Sequence, residues 1–527
     1  MYFSSGNYSR PRRIVSGEVG IRPRSVTITT MRFRLYAILV TSCLLGACSS
    51  MPTLVPAVPA PDSRVAALQD CAGWFQRLDA VIDQSGVRDA EAHRLPGYPH
   101  LRSDRLLASF ADDVAKDRDK FPDWLSALRD LDQRSRDMEI RNLPAPAARA
   151  LGVPDKASLR AKALQCGNAL LAADVNSPHT LVPLTTASRV PDSYSSALRV
   201  LGLYPLVSIP FLDGVKRWQQ RTIAEFERQR TIPFDSATTT RYVPALANPE
   251  SADPRTLLAR ARRDALGIPR FPDADRDALL AAHAPIFEVD TASDDDRIGT
   301  MGWRQVGMLG VETARPTVYR RIAFTRVGKN VLPQLIYTAW FPRRTSSHIL
   351  DPIAGEFDGV ILRITLDNQG RPMFADSIHA CGCYHLFFPG PRMTLRPAPE
   401  THNEWAFVPA PLPSLLPGAR ISLRVASGTH YVTRIETADS LEGTRYVTAD
   451  DNSLRSLRIS GDATRSIYGP DGLIAGSKRG ERFLFWPMGI ASAGAMRQWG
   501  GHATAFVGRR HFDDADLVDR HFAISGE

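Results

Sequence analysis

The chain has 527 residues, 43 % hydrophobic, 23 % charged and 8 % aromatic, with 65 Lys and Arg against 56 Asp and Glu for a formal charge of +9. That composition excludes wholesale disorder, a collagen-like repeat, a disulfide miniprotein and a polytopic membrane protein, and the length allows two or three domains with their own cores. The charge sits at the front: residues 1–47 hold Arg10, Arg12, Arg13, Arg22, Arg24, Arg32 and Arg34 against Glu18, and without them 58 basic groups face 55 acidic ones, a net of +3.

Met31-Arg32-Phe33-Arg34 is a short cationic segment, and Leu35–Ala47 is an apolar run of thirteen residues. Together they have the pattern of a secretory signal peptide over residues 1–47, too short to persist as a spanning helix, which needs about 20 residues. Residues 1–30 lack an apolar run, so Met31 is read as the start. Leu45-Gly46-Ala47-Cys48 resembles the lipobox of bacterial lipoproteins, over a match of about eighteen residues. The resemblance implies cleavage before Cys48, a diacylated thiol there and an acylated (palmitate) amino terminus. With Ser49-Ser50 and no Asp following, it implies sorting to the outer membrane, the body lying in the periplasm or at the surface. Several acyl chains at about 0.8 kcal/mol per buried methylene make the membrane a partner without any spanning helix.

Residues 48–62 follow as the lipidated Cys and a tether with four prolines between 51 and 61, able to hold the body roughly 30 Å off the membrane in a polyproline-like state. Val65, Leu68, Cys71, Trp74, Phe75, Leu78, Val81 and Ile82 recur at helical spacing, and further helix patterns cover 104–117, 122–137 and 155–173, which defines a helical domain over 63–175. Residues 176–315 read as a mixed, loop-rich connecting region. Within it, 197–212 is the most apolar stretch of the mature chain. Pro205 and Pro210 argue against a spanning helix, and the stretch is read as buried core in preference to an interfacial membrane contact. A helix pattern at 214–230 and others near 254–266 and 275–283 come next. From 316 the signals change to strands: 318–327 and 331–340 around Gly328-Lys329-Asn330, 359–366 and 371–378 around Asp367–Gly370, and 421–425 and 431–435 around Ser427-Gly428-Thr429 are hairpins. A helix near 513–523 closes the β-rich domain of 316–527. The expected class is α+β, a helical domain followed by antiparallel hairpins.

Of six cysteines, Cys43 leaves with the signal and Cys48 carries lipid. In an oxidising envelope Cys71 and Cys166, on the first and last predicted helices, are expected to form a disulfide closing a loop of about 95 residues, worth about 4–5 kcal/mol in the chain-entropy model. The remaining pair lies in His379-Ala380-Cys381-Gly382-Cys383-Tyr384-His385. His379, Cys381, Cys383 and His385 are soft or borderline ligands suited to Zn or Cu. On an extended strand the two histidines stand about 20 Å apart, so all four share one ion only if the chain reverses at Gly382. The competing readings are a strained, labile Cys381–Cys383 disulfide and plain core.

Arg497, His502 and His511, within a stretch dense in Trp, Met and Gly, are candidate pocket residues, with Asp513 orienting a histidine. The acids Glu288, Asp290 and Asp294–Asp296 lack the glycine and distal Glu of an EF-hand and read as a solvated loop. Standard nucleophile, zinc-protease and phosphate-loop motifs are absent as usable patterns, and no basic tract interleaved with aromatics supports a nucleic-acid partner. The functional expectation is a membrane-anchored envelope lipoprotein acting as a binding or structural module, with an envelope protein as a candidate partner. The alternatives are a metal- or thiol-dependent protein using His379, Cys381, Cys383 and His385, and a hydrolase with an unrecognised site.

Overall fold

A computed structural model describes residues 66–525 apart from 178, 246–252, 306, 347–350 and 417; the signal, the lipobox Cys48 and the tether fall outside the described residues. The architecture is α+β, an N-terminal helical region followed by a large mixed sheet.

Helices α1 (Ala66–Gln84), α2 (Phe121–Asn142) and α3 (Lys156–Val175) form the first layer. Pro122 opens α2, and Pro144 follows it closely, as expected of a residue that cannot continue a helix. The Asp155 carboxylate caps α3 by accepting the Ser158 N–H at 2.7 Å. Trp74, Phe75, Leu78 and Ile82 of α1 meet Ile140, Leu159 and Leu170 in one buried cluster. The expected Cys71–Cys166 disulfide staples α1 to α3 across it, with Cα atoms 5.2 Å apart. A hairpin of His93–Leu95 and Tyr98–Ser103 interrupts this helical region. Its sequence carries too few alternating apolar residues to announce a strand.

The main sheet has ten strands: β1 (Thr239–Pro244), β2 (Ile286–Asp290), β3 (Thr317–Val327), β4 (Asn330–Arg344), β5 (Gly355–Leu366), β6 (Pro372–His379), β7 (Leu386–Pro389), β8 (Arg420–Val425), β9 (Val432–Ala438) and β10 (Thr444–Asp450). Their order is β7-β6-β5-β4-β3-β10-β1-β2-β8-β9. The three predicted hairpins, β3–β4, β5–β6 and β8–β9, are all present and antiparallel. What the hairpin signals do not reveal is β10, which runs parallel to both β3 and β1 and joins the two halves. Nor do they reveal that the connecting region supplies β1 and β2, so this sheet begins well before residue 316.

Alternation along the strands divides the core in two. Leu335, Tyr337, Ala339, Val360, Leu362, Ile364 and Ala375 face one side, covered by Phe226, Leu257, Leu279 and Leu280 from helical segments. Ile336, Trp340, Ile361 and Ile378 face the other, covered by Leu454, Ile467, Met496 and Phe512. Buried polar links bolt the helical region to the sheet region. Asp89 accepts bonds from Arg455 at 2.7 and 3.0 Å and from Gln498 at 2.6 Å. Glu91 accepts one from Arg321 at 2.7 Å, and Asn142 donates to the Arg455 carbonyl at 2.7 Å.

The apolar stretch 197–212 is not core. It forms helix α4 (Ser196–Leu201) and the start of the long helix α5 (Tyr204–Gln229), with most of its large side chains in solvent. Hydrophobicity alone does not bury a segment when the layer beneath is already filled by Tyr194, Ile490 and Ala493. The helix expected near 513–523 shrinks to Leu517–His521, and that near 254–266 ends at Arg260. The acidic stretch is not simply solvated: Glu288 is buried against Arg241 and Arg434, and Asp296 is buried beside His430.

Candidate functional site

The hairpin turn between β6 and β7 reverses at the predicted glycine. The Gly382 N–H donates to the His379 carbonyl at 2.7 Å and the His379 N–H to the Cys383 carbonyl at 3.0 Å, the bonding of a turn followed by a glycine bulge. Gly382 has φ +92°, and a Cβ there would sit 2.6 Å from the Ala503 carbonyl oxygen. No other residue fits. Tyr384 is left-handed too, at φ 60°.

Two of the candidate pocket residues hold this turn from outside. The Arg497 N–H donates to the Ala380 carbonyl at 2.9 Å and its Nε to the Cys381 carbonyl at 3.2 Å. His502 Nε2 lies 3.2 Å from the same Ala380 oxygen, and burial pushes its imidazole down to about 3, so it acts as a neutral donor. Arg497 and His502 are positioning residues. His511 belongs elsewhere: it receives the Ser193 N–H at 3.3 Å and lies 3.2 Å from Asp192. Its neighbouring acid is Asp514, 3.4 Å away, rather than Asp513, which pairs with Arg105 at 3.2 Å.

Cys381 and Cys383 are both unbridged, Cys381 buried and Cys383 half-buried. The neighbouring Cys383 thiol, against burial, holds Cys381 below the usual thiol range, and the Cys381 thiol together with burial pushes Cys383 well above it. Of the two, Cys381 is the one whose thiolate is favoured. Both form part of the wall of a cavity of about 490 Å³. Phe211, Val215 and Trp218 of α5 line it together with Phe407, Phe485 and Phe506, with Tyr431, Glu404, Arg510 and Glu481 as polar groups. Burial pushes the Glu481 carboxyl up to about 7, against the pull of Arg479 and Arg344. Gly494 makes room for it, since a Cβ there would collide with the carboxylate. The charge of Glu481 in turn raises both thiols.

The four ligand candidates are not assembled, and strand alternation explains why. His379 lies on the face of Ala375 and Val360, with its Nδ1 3.3 Å from Asp358. His385 turns to the opposite face, with Nε2 2.8 Å from Asp376, which Arg363 also holds. Burial pushes His385 down to about 3 and lowers His379. The cysteines face each other. Among the described residues no group of three or more His, Cys, Asp or Glu is placed to hold a metal ion. The turn that Gly382 permits brings two thiols together, not four ligands.

A buried ionic chain behind the site had no local signal in the sequence. Asp358, fully enclosed, lies 3.0 Å from His430 Nδ1 and 3.5 Å from Arg479, and His430 Nε2 lies 3.4 Å from Asp296. Burial favours a neutral Asp358, but Arg479 and the imidazoles prevail and hold it well below the usual carboxylate range. His430 is likewise raised despite its burial, by the two carboxylates, and it stacks on Phe341 with ring centroids 4.0 Å apart. These partners come from β4, β5 and three separate turns or loops at Asp296, His430 and Arg479, so only folding unites them. Glu481 was equally illegible: its raised pKa comes entirely from where it is buried.

Fold and cavity define an α+β protein with a dithiol in an apolar pocket. Comparison with models of protein families, with curated proteins and with solved structures finds no match.

Proposed function

We propose that the chain is an envelope protein, held to the outer membrane by lipid on Cys48, that binds a small apolar ligand in this cavity and carries out thiol–disulfide exchange on it. The supporting observation is the placement of the Cys381–Cys383 dithiol, with Glu481 close by, in the wall of a cavity lined by aromatic rings. The buried Cys381 sulfur is reached through the cavity, which selects small apolar molecules over protein disulfides.

The chemistry balances as follows. The Cys381 thiol gives its proton to the Glu481 carboxylate and attacks one sulfur of a small disulfide, forming a mixed disulfide. The expelled thiolate takes the proton from Glu481. Glu481 then accepts the Cys383 proton, Cys383 attacks the Cys381 sulfur, and the second thiolate leaves and is protonated. Two electrons pass from the dithiol to the ligand, and a Cys381–Cys383 disulfide remains. In reverse, that disulfide oxidises a small dithiol. A glutamic acid poised near 7 serves both half-reactions.

Neutral dithiodipyridine is a suitable probe. The reduced chain is expected to release two thiopyridones and finish with no alkylatable Cys381 or Cys383. Cys383→Ser should release one and retain the other half as a mixed disulfide. Equal single-step labelling of both cysteines, with two pyridyl groups retained per chain, would refute the exchange reading.

A further inference from the structure

Beside the cavity lies a solvent-facing apolar ridge. Val200, Leu201, Leu203, Leu206 and Ile209, from α4, the residue joining it to α5 and the first turns of α5, and Phe483 and Leu484 from the one-turn helix Arg482–Phe485 are between 54 % and 74 % exposed. Trp486 adds an indole that is 37 % exposed. Monomeric proteins seldom display so many large apolar side chains together.

The ridge is rigidly built rather than frayed. Gly202 packs so closely on Pro487 that a Cβ would stand 2.6 Å from it. The Arg199 guanidinium crosses to the Met488 carbonyl at 2.9 Å, and the Ser195 N–H reaches the Gly489 carbonyl at 2.8 Å. Leu203 sits in the strained left-handed region at φ 51°, with its side chain presented to solvent instead of buried. The ridge also runs straight into the pocket: Phe211 and Phe485 pack with centroids 5.5 Å apart, and Phe485 and Phe506 at 4.9 Å, all three lining the cavity.

We infer that this ridge docks onto the surface of a lipid bilayer and sets the mouth of the cavity against it, so that the cavity's ligand is a membrane-dissolved apolar molecule. Two observations choose a bilayer as the occupant. Only residues 49–65 separate the lipobox Cys48 from the first described helix, a reach of about 60 Å at most, so the proposed lipid anchor keeps the ridge within range of the membrane. And residues 196–212 and 482–490 contain no Asp or Glu, while Arg482, at the ridge, is basic, the charge pattern of an interfacial segment on an anionic surface. Among the described residues no helix is long and apolar enough to cross a membrane, so the contact is with one leaflet. The choice of ligand rests on the proposed thiol reading; the docking does not.

The test is quenching of Trp486 by lipid. The full chain, isolated with its own lipid, is reconstituted into phosphatidylethanolamine–phosphatidylglycerol vesicles with brominated acyl chains. Trp486 is one of eight tryptophans, so wild type should lose up to about one eighth of its emission, and Trp486→Phe should show no such loss. Leu206→Glu with Ile209→Glu, both exposed and therefore safe for folding, should abolish the quenching in the otherwise unchanged chain. Equal quenching in wild type and Trp486→Phe overturns the inference. So does Trp486 emission that ignores bromine but varies with protein concentration, which assigns the ridge to a second copy. Thiopyridone release measured on the same samples without vesicles separates the two readings: quenching without release removes the ligand class and leaves docking standing, and release without quenching removes docking.

Discussion

Replacing Glu481 by Gln keeps the shape of the side chain and removes its ability to charge, so the stability change depends on pH with a sign fixed by burial. In the folded chain the carboxyl titrates at about 7 instead of the ordinary 4.5. Below 4.5 both folded and unfolded chains hold the proton, and the substitution removes nothing. Between 4.5 and 7 the unfolded chain loses the proton first, so wild-type stability falls as pH rises through that window. The gap corresponds to about 3 kcal/mol, fully expressed above 7. With about 2.1 cal/mol/K of unfolding entropy per residue over the described body, 3 kcal/mol moves Tm by about 3 °C. Glu481→Gln should therefore melt about 3 °C above wild type at pH 8.5 and level with it at pH 4.5, by scanning calorimetry under reducing conditions. The same change removes the negative charge that raises both thiols, so iodoacetamide should alkylate Cys381 faster in the variant, without the wild type's inflection near pH 7. A Tm difference independent of pH, or a variant less stable than wild type at pH 8.5, would refute the assignment of a buried, chargeable carboxyl beside the dithiol.

Opposite behaviour is expected at His430, whose pKa is raised by Asp296 and Asp358 against the effect of burial. Its stabilisation is complete below its ordinary 6.5 and is lost as pH rises through the folded value, so His430→Gln should cost about 3–5 kcal/mol at pH 5.5 and clearly less at pH 9; equal melting penalties at the two pH values would contradict this. Breaking the Cys71–Cys166 staple, which spans 95 residues, frees about 4.7 kcal/mol of chain entropy in the unfolded state, so Cys71→Ser should melt several degrees lower. Reductant should bring wild type down to the same temperature, and an unmoved wild-type Tm would show that the bond contributes nothing.

Much of the frame was legible because its signals are local. Helical spacing announces α1 from Val65 to Ile82, and turn residues at 328–330, 367–370 and 427–429 mark three hairpins. The parallel insertion of β10 between β3 and β1 has no such signature, because both partners lie more than a hundred residues upstream. The site divides in the same way. Gly382 identified the chain reversal, and Cys381 and Cys383 were visible as a pair. The metal reading treated His379 and His385 as equivalent neighbours of that pair. The β6–β7 register, which pairs Ser377 with Leu386, sets His385 opposite Ile378 and so on the other face from His379, sending one histidine to Asp358 and the other to Asp376. Composition misled at 197–212, where apolar residues suggested core. Whether such a segment is buried depends on what else has already filled the space beneath it.

The bolts at Asp89 and Glu91 have a mechanical consequence. Helix α1, the first described element, is stapled to α3, and Arg455, Gln498 and Arg321 lock the hairpin region beside these helices to the sheet. The described residues accordingly form one compact unit, helices and sheet together. A body held only by the proposed lipid anchor would keep all three rotational degrees of freedom. A second, rigid point of contact at the ridge would remove two of them and leave only spin about the membrane normal, so the cavity would face the bilayer at a fixed angle.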